Sequence, residues 1–167
     1  MPKNLKLYIV LSYLLIPISL FFAFLDVALL ITALANPGTL IMVFIIACLV
    51  IYTFVSFKFL KLGIQREQTQ SHKLKDWIKL NAYVSLFLCS LFFINSISIL
   101  VSTNATLQIF IDEFLQQQSN LPAAFNSAFI LNLLRGLAVF LLVVSTIGLL
   151  HIRTTLKLVK EYDYLFE

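Results

Sequence analysis

Charge is scarce in this sequence, and cysteine, glycine and proline are scarcer still. Of its 167 residues only 12% are Asp, Glu, Lys or Arg, with two cysteines, four glycines and four prolines. So little charge excludes an ordinary soluble chain, in which about a quarter of residues carry it. The two cysteines, Cys48 and Cys89, both fall inside long apolar stretches at different expected depths, which excludes a disulfide framework. No HExxH, GxSxG, Walker A or CxxC pattern occurs, so metalloprotease, serine hydrolase, nucleotide-binding and dithiol redox chemistry all lack their minimum parts. The only histidines, His72 and His151, have no second ligand at metal spacing. No cofactor or metal is expected, and the chain reads as a non-enzyme.

What is present is apolar sequence. Hydrophobic residues make up 60% of the chain, and the mean hydropathy is +0.97. A helix needs about 20 mostly apolar residues to cross a bilayer, and the stretches 7–35, 39–57, 80–103 and 127–150 meet that length. The expected fold class is all-α: an integral membrane four-helix bundle forming a single domain over 1–167. Asn36-Pro37-Gly38 predicts a tight turn between the first two spans, with glycine free to take positive φ. Between spans three and four, Leu107, Phe110, Ile111, Phe114 and Leu115 alternate at helical spacing with Gln108, Asp112, Glu113, Gln116 and Gln117. That pattern predicts a short amphipathic helix or a packed continuation of span three. A helical extension of span four is expected over 151–167. Asn104-Ala105-Thr106 matches an N-glycosylation acceptor and is read as a chance occurrence.

Orientation follows from the basic residues, which are retained beside spans on the cytoplasmic side. Lys3 and Lys6 precede the first span, Lys58 through Lys79 occupy the connection between spans two and three, and Arg153, Lys157 and Lys160 follow span four. The two remaining connections hold no Lys or Arg at all. Both termini are therefore expected in the cytoplasm, with a plasma membrane or bacterial inner membrane as the location. Lys58, Lys61, Trp77, Lys79, His151 and Arg153 are the expected contacts with the interface and its anionic headgroups. Basic residues flanking apolar spans serve membrane insertion, so nucleic acid is not an expected partner.

Two charges lie inside the spans. Asp26 precedes the first turn by about the distance that Arg135 follows the start of span four, which at 1.5 Å per residue places both roughly 12–15 Å below the outer boundary. Asn95 falls at the same level, and Asn132 lies one turn from Arg135. A charge near mid-bilayer costs about 2.5–3.5 kcal/mol on insertion scales, so a buried cluster of Asp26, Asn95, Asn132 and Arg135 is predicted, with the amides supplying acceptors that one carboxylate cannot. Ala124, Ala128, Asn132 and Gly136 recur every four residues and predict close helix approach along span four. With no reaction named by any motif, the expected function is that of an accessory or scaffolding subunit, or a small regulator. Its partners would be the lipid bilayer and other membrane proteins or further copies of itself. The alternative is a small transporter or channel component using the Asp26–Arg135 layer.

Overall fold

The computed structural model describes residues 3–117 and 126–167. It is 91% helix, with five helices and no strand among the described residues. Helix α1 spans Lys3–Ala35, α2 Leu40–Lys58, α3 His72–Val101, α4 Asn104–Gln117 and α5 Ser127–Glu161. All but α4 are long and apolar enough to cross a membrane. The helix that carries the third expected span starts at His72, ahead of Leu80, and the one that carries the second continues past Phe57 through a π-helical turn, Phe59–Ile64. Both extensions shorten the connection, of which residues 65–71 remain outside helix.

The turn after α1 forms where Asn-Pro-Gly predicts it, but as a 3-10 turn, Pro37–Thr39. No glycine takes a positive φ among the described residues. Gly38 is favoured by space instead: a Cβ there would come within 3.2 Å of Asn36 Oδ1, the atom that accepts the Gly38 N–H at 3.1 Å, and would push that cap aside. Helix α1 then lies against α2.

The chain divides into two compact units, Met1–Cys89 with Ile147–Glu167, and Ser90–Thr146. In the first unit every helix carries a buried stripe at three- and four-residue spacing. On α1 it runs Leu5, Tyr8, Ser12, Leu15, Ser19 and Phe22, and on α2 Leu49, Tyr52, Thr53 and Ser56. On α3 it includes Leu74, Ile78, Ala82 and Ser85, and on the last turns of α5 His151, Ile152, Thr155, Leu158 and Val159. The π turn adds one residue to a helical turn, and both Phe59 and Leu60 are fully enclosed. The stripes are unusually rich in small hydroxyl residues, which let membrane helices approach closely. Their hydroxyls mostly return to their own helices: Ser12 donates to the Tyr8 carbonyl, Thr53 to Leu49 and Ser56 to Thr53. Gly148 serves the same approach, since a Cβ there would lie 2.7 Å from Cys89 Sγ.

The segment after α5 does not extend as a free helix. It turns at Asp163–Leu165 and pairs with the α2–α3 connection in a short parallel bridge, with Gln70 N–H donating to the Leu165 carbonyl at 2.7 Å and Glu167 N–H to Gln70 at 2.9 Å. Phe166 stacks on Phe59 with centroids 5.2 Å apart, and Lys75 pairs with Asp163.

In the second unit the 104–117 segment is a distinct helix, not an extension of α3. The Thr103 hydroxyl accepts the Thr106 N–H at 3.2 Å and starts α4 afresh. Leu107 and Ile111 bury against Leu131 of α5, while Phe110 and Phe114 remain exposed. Asn126 caps α5 by accepting the Phe129 N–H at 2.9 Å, and Ser127 ties that cap to α4 by donating to Asp112 at 3.0 Å.

Candidate functional site

The most completely built polar site lies in the first unit, around a residue that sequence reasoning placed elsewhere. His151, expected at the headgroup interface, is fully buried. Spacing explains why. His151 and Thr155 are four residues apart on α5, as are Tyr8 and Ser12 on α1, so each helix presents two polar groups on one face. Tyr52 projects from the buried stripe of α2 between them.

Both imidazole nitrogens are engaged. Ser12 Oγ lies 2.7 Å from the Tyr8 carbonyl and 2.9 Å from His151 Nε2, and the Tyr52 hydroxyl lies 2.7 Å from Nδ1; either ring tautomer satisfies both contacts. Thr155 Oγ1 lies 2.8 Å from the Tyr52 oxygen and 2.9 Å from the His151 carbonyl, and donates to one of the two. Tyr8 stacks on the imidazole with centroids 4.9 Å apart, and its own hydroxyl donates to the Ser56 carbonyl at 3.0 Å. Each polar side-chain atom of the set has a hydrogen-bond partner, that of Tyr8 being the Ser56 backbone.

The intramembrane charges are arranged differently. Asp26 continues the α1 stripe one turn beyond Phe22 and is half-buried. Within its unit no donor reaches its Oδ1. Arg135, Asn95 and Asn132 belong to the second unit. There Arg135 is half-buried and Nη2 donates to the Ser102 carbonyl at 3.1 Å, while Nε has no partner in that unit. Asn95 and Asn132 are exposed. The acceptor that Arg135 has found is the frayed end of α3, a backbone group that no residue-type pattern reveals. The expected small-residue strip is not a contact in this unit either: a Cβ on Gly136 would meet nothing within 4 Å, Ala128 and Asn132 are exposed, and Ala124 lies outside the described residues.

Of the remaining interface residues, Lys58, Trp77, Lys79 and Arg153 are exposed. Lys61 is half-buried, its Nζ 4.9 Å from the centre of the Tyr13 ring, a cation–π contact that sequence alone does not show. Both cysteines are buried thiols. Among the described residues no three His, Cys, Asp or Glu side chains gather as metal ligands would. Comparison with protein-family models, with curated proteins and with solved structures finds no match for this chain.

Proposed function

We propose that the chain is a non-enzymatic multi-pass membrane protein serving as an accessory or scaffolding subunit, or a small regulator, of a membrane assembly. One observation carries this reading. The most elaborate polar site in the first unit spends its donors and acceptors on itself: Ser12 and Tyr52 occupy both ring nitrogens of His151, and Thr155 closes the set. A buried network of that kind fixes which helix faces meet which, and leaves no group aimed at a substrate. The basic flanks support cytoplasmic termini in a plasma or bacterial inner membrane. The exposed apolar side chains of α1 and α2, among them Phe24, Leu34, Ile41 and Phe44, offer surface to lipid and to neighbouring membrane proteins or copies. Purification in mild detergent tests the assignment by mass. The expected species holds a second chain at fixed stoichiometry, whereas a single-chain particle that transports a solute in liposomes contradicts it.

A second reading, a small transporter or channel component, is favoured by the incomplete bonding of Asp26 Oδ1 and Arg135 Nε, each within its own unit. Unpaired polar atoms inside spanning helices mark pathways when water or substrate completes them. The charge swap Asp26→Arg with Arg135→Asp separates the readings. Recovery of folded yield by the swap, after each single change has lowered it, identifies a structural pair; normal yield with lost transport in Asp26→Asn identifies a pathway.

A further inference from the structure

Three lysines converge on one cleft of the first unit. Lys75 and Lys79 lie one turn apart on α3, and Lys160 faces them from the last turn of α5. With Tyr83, Leu156, Val159 and Asp163 they line a cavity of about 320 Å³. That is at the lower end of the roughly 300–1,000 Å³ of small-ligand sites. We propose that this cleft binds the phosphate of an anionic membrane phospholipid, with Lys79 and Lys160 as its two ligating ammonium groups. The inference does not rest on the scaffold reading.

The division of charge within the cleft leads there. Lys75 is committed, its ammonium paired with Asp163 and lying 5.8 Å from the centre of the Phe166 ring. Lys79 and Lys160 are exposed and in no ion pair among the described residues. Two uncommitted cations from different helices, facing one cavity, leave a local positive excess that an anion neutralises. Lys157, on the same helix as Lys160, differs in this respect because Glu161 already lies 3.6 Å from it.

The walls distinguish a lipid from a soluble anion. Leu156 and Val159 give the cleft an apolar side, and Tyr83 brings a half-apolar ring with a hydroxyl able to donate to a phosphate oxygen. Outside the cleft α3 exposes Trp77, Leu80 and Phe87, an aromatic and aliphatic surface of the type found where a helix passes from headgroups to hydrocarbon. A phosphate with acyl chains attached matches both the cations and the apolar wall; free phosphate matches only the cations. Among the lining residues Asp163 is the one opposing charge; it is bonded to Lys75 and interacts more weakly with Lys79, and it sets the sign of the most informative variant.

The test uses the full chain in mild detergent, titrated with phosphatidic acid, phosphatidylcholine or inorganic phosphate and read by native mass spectrometry. The expected result is retention of phosphatidic acid over phosphatidylcholine. Lys79→Gln and Lys160→Gln should each weaken it roughly fivefold, as expected for one basic residue at an anionic surface. Arg66→Gln and Lys73→Gln, exposed basic residues outside the cleft, should leave it unchanged. Asp163→Asn should tighten binding by removing the anion at the rim and freeing Lys75, a gain that misfolding does not produce. Equal weakening by all four basic substitutions would mean diffuse surface charge and overturn the proposal. So would equal retention of the two lipids, inorganic phosphate competing as well as the lipid, or an unchanged affinity in Asp163→Asn.

Discussion

The first half of α5 is the more apolar, with 14 hydrophobic residues among the 20 of 127–146 against 7 among the 15 of 147–161, yet it is the less packed. In the last turns Gly148 sits against Cys89, and His151, Ile152, Thr155, Leu158 and Val159 are all enclosed. In the first turns Gly136 faces open space, Leu133, Leu137 and Val139 are exposed, and Leu131 and Ala138 are among the few buried positions. Hydrophobicity does not decide which region packs. In a membrane it cannot, because lipid tails are as apolar as leucine and burying one leucine against another yields little. What separates them is the supply of small and hydrogen-bonding groups: the packed half meets Ser12, Tyr52 and Cys89, while in the open half Asn132 is exposed and a Cβ on Gly136 would meet nothing.

That contrast is broken most severely at its centre. Replacing His151 by Ala leaves a cavity and strips the Tyr52 and Ser12 hydroxyls of their ring partners. A loss of about 2–5 kcal/mol is expected, on the scale of other large-to-small core changes, whereas Asn132→Ala in the open half should stay within about 0.5 kcal/mol. Reversible unfolding in mixed detergent measures both. Tyr52→Phe removes one oxygen and leaves Nδ1 and Thr155 without it, at a cost of about 1–3 kcal/mol.

The glycines sharpen the comparison on a smaller scale. Gly148→Ala forces Cys89 out of its position and should cost about 1–3 kcal/mol, as overpacking does. The change should be largely tolerated in a Cys89→Ala background, where the obstructing sulfur is gone. Gly136→Ala meets nothing and should stabilise by about 0.5–1 kcal/mol through helix propensity. A destabilising Gly136→Ala would show that this face is covered in the membrane, and would move the open half into the packed class.

The smallest effect concerns the tail. The Lys75 ammonium, hydrogen-bonded to Asp163, holds that carboxyl below its ordinary range. A depressed folded value means the contribution is present above the unfolded value of about 4 and disappears as the pH falls through the folded one. Amide exchange at Gln70 and Glu167, the bridge donors, should therefore lose some protection in acid. In Asp163→Asn the protection should be lower at neutral pH and indifferent to acidification.

Span number and helical class were legible because length and apolar composition decide them without tertiary information. That Asp26 and Arg135 fall within long apolar helices was legible for the same reason. Lateral neighbours were not. Arg135 found a backbone carbonyl at the end of α3, and any helix end offers such groups. His151 looked interfacial because it lies beside Arg153 and past the apolar run, yet α1 and α2 extend far enough to enclose it. A signal did exist: polar residues in four-residue steps, Tyr8 with Ser12 and His151 with Thr155, amid otherwise apolar helix. Each pair marks a face that needs hydrogen-bond partners, although neither names the other.

The most direct test is a double-mutant cycle on Tyr52→Phe and His151→Leu, with unfolding free energy as the readout. If these side chains form one closed network that fixes helix packing, the double variant should cost less than the sum of the two single ones by about 0.5–3 kcal/mol. Strictly additive losses, or single variants as stable as the parent, would contradict a structural role for the His151 set.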